Sequence, residues 1–139
     1  MENNNILVMS YGTLKRNQYN YPYMEVAEGK YIDDVVSVNS NFEMISVNNA
    51  FPGIIRGESK FQGELFEVPE EGILYYLDAL EGYPYMYTRG YIQVQSLSSS
   101  KTYKALVYAL TNDFIQSNNQ VLSEKSPHIE FKNNIYNWI

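Results

Sequence analysis

The sequence predicts an α+β fold: a curled mixed sheet or small β-barrel with flanking helices. Three observations lead there. Short strand-like runs recur along most of the chain, each bounded by Gly, Pro, Asn or Ser. Only the stretch around Ile73 to Glu81 carries a clear helical period. A doubly wound parallel sheet needs a helix between successive strands, and this chain has too few.

The elements follow in order. Ile6-Leu7-Val8-Met9 is too short for a helix and reads as a buried strand. It runs into Ser10-Tyr11-Gly12-Thr13-Leu14-Lys15-Arg16, where Gly12 permits a sharp bend with backbone N–H groups turned inward. Asn17 to Gly29, with Pro22, reads as a loop and a short irregular helix. Tyr31 to Val38 and Phe42 to Val47 read as strands, the first interrupted by Asp33-Asp34. Asn48 to Gly53 reads as a turn or loop, and Ile54-Ile55 as a short strand closed by Gly57. Phe61 to Val68 alternates, with Phe61, Gly63, Leu65 and Glu67 on one side. Tyr91 to Leu97 and Tyr103 to Leu110 form a hairpin across Ser98-Ser99-Ser100. The segment from Thr111 is rich in Asn and Ser and reads as a wrapping tail with little regular structure.

The helix starts after Pro69 with Glu70-Glu71 and stops at Gly82. With about 100° per residue, Ile73, Leu77, Leu80 and Leu74 form one apolar stripe, and Glu81 falls between Leu74 and Leu77. A carboxylate there faces the core and also sits in the last turn, where the helix dipole disfavours an anion. Burial raises a carboxyl pKa, which suits a general base or acid near neutral pH. The alternatives are that Glu81 reaches out beyond the last turn or pairs with Arg89. Arg89 itself has three readings: a partner for Glu81, a partner for a substrate carboxylate, or a solvent-facing charge. Lys15-Arg16 reads as a solvated pair or a carboxylate clamp.

Composition narrows the chemistry. A length of 139 residues suits one domain, 1–139, and 45% apolar residues supply a core. The net charge of −6 repels a phosphate backbone, so no nucleic-acid partner is expected. No apolar run approaches the ~18 residues of a membrane span. The N-terminus lacks the basic and apolar regions of a signal peptide, so a cytoplasmic protein without a membrane partner is expected. With no cysteine and a single histidine, His128, thiolate catalysis and a His-rich metal site are excluded. No G-x-S-x-G elbow accompanies His128. Most of the 14 tyrosines read as half-buried packing with a wet hydroxyl.

Four motifs in order resemble the γ-glutamylcyclotransferase-like (AIG2-like) family. These are Tyr11-Gly12-Thr13-Leu14, then Phe51-Pro52-Gly53-Ile54, then Gly63-Glu64-Leu65-Phe66-Glu67-Val68, then Leu77-Asp78-x-x-Glu81-Gly82 with Tyr87-x-Arg89. The Thr13-Leu14-Lys15-Arg16 form is most similar to the γ-glutamylamine cyclotransferase branch. The resemblance implies a mixed β-barrel with flanking helices and release of 5-oxoproline from a γ-glutamyl substrate. It implies Glu81 as the catalytic acid/base and Tyr11, Gly12, Thr13 and Leu14 as the substrate-binding loop. Arg89 and Tyr108 join them as candidate substrate-binding residues, with no metal or cofactor.

That reaction is intramolecular, since the substrate's own α-amine attacks its γ-carbonyl. No protein nucleophile is needed, which fits a chain without cysteine. The rival reading is a binding protein that holds a small amine-bearing or anionic ligand in the same pocket and releases it unchanged. The leaving amine and the oligomeric state are not encoded in any of these motifs.

Overall fold

The computed structural model describes residues 4–139, and the expected barrel is present. Strands β1 (Asn5–Ser10), β2 (Lys30–Ser37), β5 (Lys60–Pro69), β6 (Tyr87–Ser96) and β7 (Thr102–Leu110) close into a ring in the order β1-β7-β6-β2-β5, with β5 returning to β1. The ring is mixed: β1 runs parallel to β7 and antiparallel to β5. A smaller sheet pairs β3 (Phe42–Val47) with β4 (Phe51–Arg56) and with the two-residue β8 (Leu122–Ser123).

Closure explains why β1 is apolar without alternation. Val8 pairs with Phe66 and Met9 with Leu65. Val8 and Phe66 enter one apolar cluster, Met9 and Leu65 the other. Both faces of these strands are covered, so neither can be polar. The same two-sided burial breaks the alternation expected of Phe61 to Val68, because the adjacent Leu65 and Phe66 are both fully buried. In β2 the pairing with β5 slips between Tyr31 and Asp33, a bulge that absorbs the Asp33-Asp34 interruption.

Several boundaries move. Phe51, Pro52 and Gly53 belong to β4, leaving only Asn48 to Ala50 as the turn, with Asn48 and Asn49 at φ 55° and 57°. Pro52 is tolerated because β4 is the edge strand of its sheet. Strand β6 begins at Tyr87, ahead of the expected Tyr91. The Asn17 to Gly29 segment holds the short helix α1 (Tyr21–Val26), as expected.

The expectation of an irregular tail is corrected. It contains α4 (Asn112–Ser117), a 3₁₀ turn (Asn119–Val121), β8, and a hairpin of β9 (Ile129–Lys132) and β10 (Ile135–Trp138). Asn133 and Asn134 both take positive φ, the geometry of a two-residue hairpin turn. Strand β10 runs parallel to β5 at Lys60 and Phe61 and delivers Trp138 to the core at 2% exposure. Buried anchors so far apart in sequence hide the strand period.

The helix also departs from its simple wheel. It comprises α2 (Glu70–Gly72), a π turn (Ile73–Leu77) and α3 (Asp78–Glu81). The Asp78 N–H donates to the Ile73 carbonyl, five residues back. In a regular helix Asp78 would lie ~140° from Ile73; the wider turn stacks it beneath Ile73. Asp78 is therefore buried, while Leu74, expected in the core stripe, is 50% exposed. Gly82 ends the helix in the left-handed region, φ 66°, as expected of a C′ glycine.

Candidate active site

Strand β1 and helix α3 both end at one cavity of about 190 Å³. Its wall includes Ser10, Tyr11, Gly12, Thr13 and Leu14 from the end of β1, and Asn20 and Tyr19 from the following loop. Phe51 and Pro52 come from β4, Leu80 and Glu81 from α3, Met86 and Tyr87 from the start of β6, and Tyr108 from β7. Glu81 is the one charged side chain among these lining residues.

The Tyr11 to Leu14 turn is held from both ends. Gly12 and Thr13 carbonyls accept from Lys15 N–H (3.1 Å) and Asn20 N–H (3.0 Å), and Asn20 Nδ2 donates to Thr13 Oγ1 at 2.9 Å. Among the described residues, the N–H groups of Gly12, Thr13 and Leu14 donate to none of the loop's backbone carbonyls. Gly12 lies against Pro52 so closely that a Cβ would stand 2.7 Å from the proline ring. The tight approach of this bend to β4 admits only glycine.

Three tyrosines fix the walls. The Tyr11 hydroxyl donates to the Tyr108 carbonyl (2.6 Å) and accepts from Ile54 N–H (3.2 Å), tying β1, β4 and β7 together. The Tyr87 hydroxyl donates to the Pro52 carbonyl at 2.7 Å. The Tyr108 hydroxyl donates to Asp78 Oδ1 at 2.6 Å. Burial pushes all three phenols well above their ordinary value, so each remains a donor.

Glu81 is half-buried as a residue, with its open surface on the cavity. No side-chain hydrogen bond or ion pair to it is present among the described residues. Burial pushes its carboxyl up to about 7 from an ordinary 4.5, and no other group contributes. Pairing with Arg89 is not what the structure shows. Arg89 donates from Nε to Asp78 Oδ1 (2.9 Å) and from Nη2 to Asp78 Oδ2 (3.1 Å), and its guanidinium covers the Tyr83 ring at 4.3 Å. Arg89 is also not among the cavity-lining residues, unlike the other expected substrate-binding positions.

Lys15 and Arg16 do not form a clamp at the cavity: Arg16 is exposed, in line with the solvated reading, whereas Lys15 is half-buried. Lys15 Nζ donates to the Trp138 carbonyl and to Asn137 Oδ1, tying the loop to β10. Arg16 engages Glu64 through its backbone N–H (2.8 Å) and guanidinium (3.3 Å), and stacks on Tyr31 at 3.5 Å. His128 stands against Trp138 with ring centres 5.0 Å apart, and its Nδ1 faces the Ile139 carbonyl. The positions that sequence reasoning passes over are Tyr19, Asn20, Phe51, Met86, Tyr87 and, behind the wall, Asp78. Tyr87 and Asp78 lie inside the quoted Tyr87-x-Arg89 and Leu77-Asp78-x-x-Glu81-Gly82 motifs, which could have flagged them. Phe51 likewise lies inside the quoted Phe51-Pro52-Gly53-Ile54 motif, whereas Tyr19, Asn20 and Met86 carry no local signal.

Comparison with known proteins adds the family. An AIG2-like protein from Mus musculus is 27% identical over 88% of this chain and 87% of its own, with a TM-score of 0.71. A structure described as gamma-glutamyl cyclotransferase shares the fold at 13% identity, covering 78% of this chain and 68% of its own (TM-score 0.60). A uropathogenic E. coli-specific protein also shares it, at 18% identity over 84% and 91% of the two chains (TM-score 0.61). A search of curated proteins found no match. The family model described as gamma-glutamyl cyclotransferase, AIG2-like, matches residues 8–130. With four ordered motifs, the five-strand ring and that match over most of its length, the chain belongs to the gamma-glutamyl cyclotransferase, AIG2-like family.

Proposed function

We propose that this protein is a γ-glutamylamine cyclotransferase, cleaving a γ-glutamyl compound into 5-oxoproline and a free amine without a cofactor. The observation that carries the reading is Glu81: a lone carboxyl on the cavity wall, its pKa near 7, facing a loop with undonated backbone N–H groups. A group titrating there serves as base and then as acid in one cycle.

The steps balance without a protein nucleophile. Glu81 takes a proton from the substrate's α-ammonium. The freed amine nitrogen bonds to the γ-carbonyl carbon, and the negative charge passes to the carbonyl oxygen. Backbone N–H groups of Gly12, Thr13 and Leu14 receive that oxyanion. As the carbonyl re-forms, Glu81 gives its proton to the leaving nitrogen and that C–N bond breaks; the new ring nitrogen then sheds its second proton through the freed Glu81 carboxylate to the departing amine, which leaves as an ammonium. A cavity of about 190 Å³ is smaller than the ~300–1,000 Å³ of sites that engulf drug-sized ligands. It suits a single curled glutamyl group, and curling brings amine and carbonyl to attack distance.

The lining offers no Lys or Arg to an anionic leaving group, and the chain is acidic overall. Both features favour a neutral or cationic amine arm over the peptide arm of glutathione. The test is incubation with a panel of γ-glutamyl compounds, including γ-glutamyl-ε-lysine and glutathione, read as 5-oxoproline by mass spectrometry. Faster turnover of the γ-glutamylamine supports the reading. Binding without 5-oxoproline from any member would leave a binding protein instead.

A further inference from the structure

Asp78 is buried one helical turn before Glu81, yet it does not line the cavity. Its carboxylate receives three donors: Nε and Nη2 of Arg89 and the hydroxyl of Tyr108. Among the described residues, Arg89 is the one cation bonded to it, and Tyr108 is the one cavity-lining side chain that it holds directly. Side chains three apart on a helix are neighbours, about 5–6 Å between Cβ atoms. An unbalanced charge at position 78 or 89 would therefore act strongly on Glu81 through a low-dielectric wall.

We propose that Asp78 and Arg89 are positioning residues: a charge-matched pair that pins Tyr108 to the cavity wall and leaves Glu81 in a field of no net charge. The proposal rests on the reading of Glu81 as the acid/base for its bearing on turnover, but not for its electrostatics. The other titratable side chains on the cavity are Tyr11 just after β1, Tyr19 from the following loop, Tyr87 from β6 and Tyr108 from β7. Burial pushes Tyr11, Tyr87 and Tyr108 up and keeps them neutral, so none of these three supplies a compensating charge.

The pair makes a signed prediction that mere scaffolding does not. Arg89→Met leaves the Asp78 anion unbalanced and raises the Glu81 pKa. Asp78→Asn leaves the Arg89 cation unbalanced and lowers it, while Asn still accepts from Tyr108. The double substitution removes both charges and returns Glu81 close to wild type. Each single shift should be about 0.5–1 pH unit. The measurement is ¹³C carboxyl titration by NMR on the full chain, with Glu81→Gln used to assign the resonance. Arg89→Lys is the charge-keeping control: it retains a cation beside Asp78 and should keep the wild-type titration.

Opposite shifts that cancel in the double variant support the pair. Shifts of the same sign, or no shift beyond ~0.2 unit in Arg89→Met, overturn it. If Asp78→Asn does not fold, Arg89→Met against Arg89→Lys still decides. The titration needs no turnover, so its failure is distinct from the failure of the proposed activity. Where the wild type releases 5-oxoproline, the acid limb of kcat/KM should move with the Glu81 titration in each variant.

Discussion

Arg89 grips Asp78 through two hydrogen bonds, 2.9 and 3.1 Å long, so its charge is engaged one helical turn away from Glu81. Glu81 is left facing the cavity with burial alone acting on its carboxyl.

Glu81→Gln keeps the size and most of the packing but cannot accept a proton. Turnover should fall by ~10²–10⁴-fold, the usual contribution of positioned proton transfer. Ligand binding should persist, because the loop donors at Gly12 to Leu14 are untouched. Steady-state kinetics with binding measured on the same variant test both statements. A fully active Glu81→Gln enzyme would end the mechanism.

The same carboxyl makes stability depend on pH with a definite sign. Its folded value, about 7, lies above the ordinary 4.5, so the folded state favours the protonated form. The stabilisation is complete below pH 4.5, declines as pH rises and is gone above about 7. The full shift corresponds to ~3 kcal/mol, reduced by whatever solvent reaches the carboxylate through the cavity. Urea unfolding of wild type and Glu81→Gln across pH 4–8 should show the variant gaining relative to wild type as pH rises. A pH-independent difference would mean that Glu81 titrates at its ordinary value.

Gly12→Ala should damage the site through contact rather than backbone angle. The new Cβ would stand 2.7 and 2.8 Å from the Pro52 ring, so the loop or β4 must give way. The overpacking should cost ~1–3 kcal/mol. A displacement of the loop donors approaching ~1 Å could cost ~10²-fold in turnover. Unfolding free energy and kcat/KM on the same protein check both numbers, and wild-type turnover would show that the loop N–H groups do not contribute.

Trp138→Ala should cost ~3–5 kcal/mol, because the indole is buried at 2% exposure beneath the tail hairpin. Removing it also loosens β10, whose Trp138 carbonyl receives Lys15 beside the cavity loop. Turnover in the folded fraction should therefore fall along with stability. Denaturation together with kinetics corrected for folded protein separates the two effects. A change below ~1 kcal/mol would mean that the tail is not part of the core.

The sequence by itself determined the strands of the barrel, the helix with its Gly82 stop, the bend at Gly12 and the oddity of a carboxylate at position 81. These are legible because they rest on local periods and on residues whose backbone freedom is intrinsic. It also placed the family, through motifs kept in order. Tertiary structure decided the rest. The π turn carried Asp78 inward and Leu74 outward, which a regular helical wheel cannot anticipate. Arg89 had three open readings, and only closure of β6 against the helix assigned it to Asp78. The tail hairpin is seated on the barrel by contacts such as Lys15 with the Trp138 carbonyl, 123 residues apart. Tyr11 reaches the Tyr108 carbonyl across a separation of 97 residues. Such contacts exist only after the ring has formed, so no local pattern encodes them; the chain writes its strands locally and its site globally.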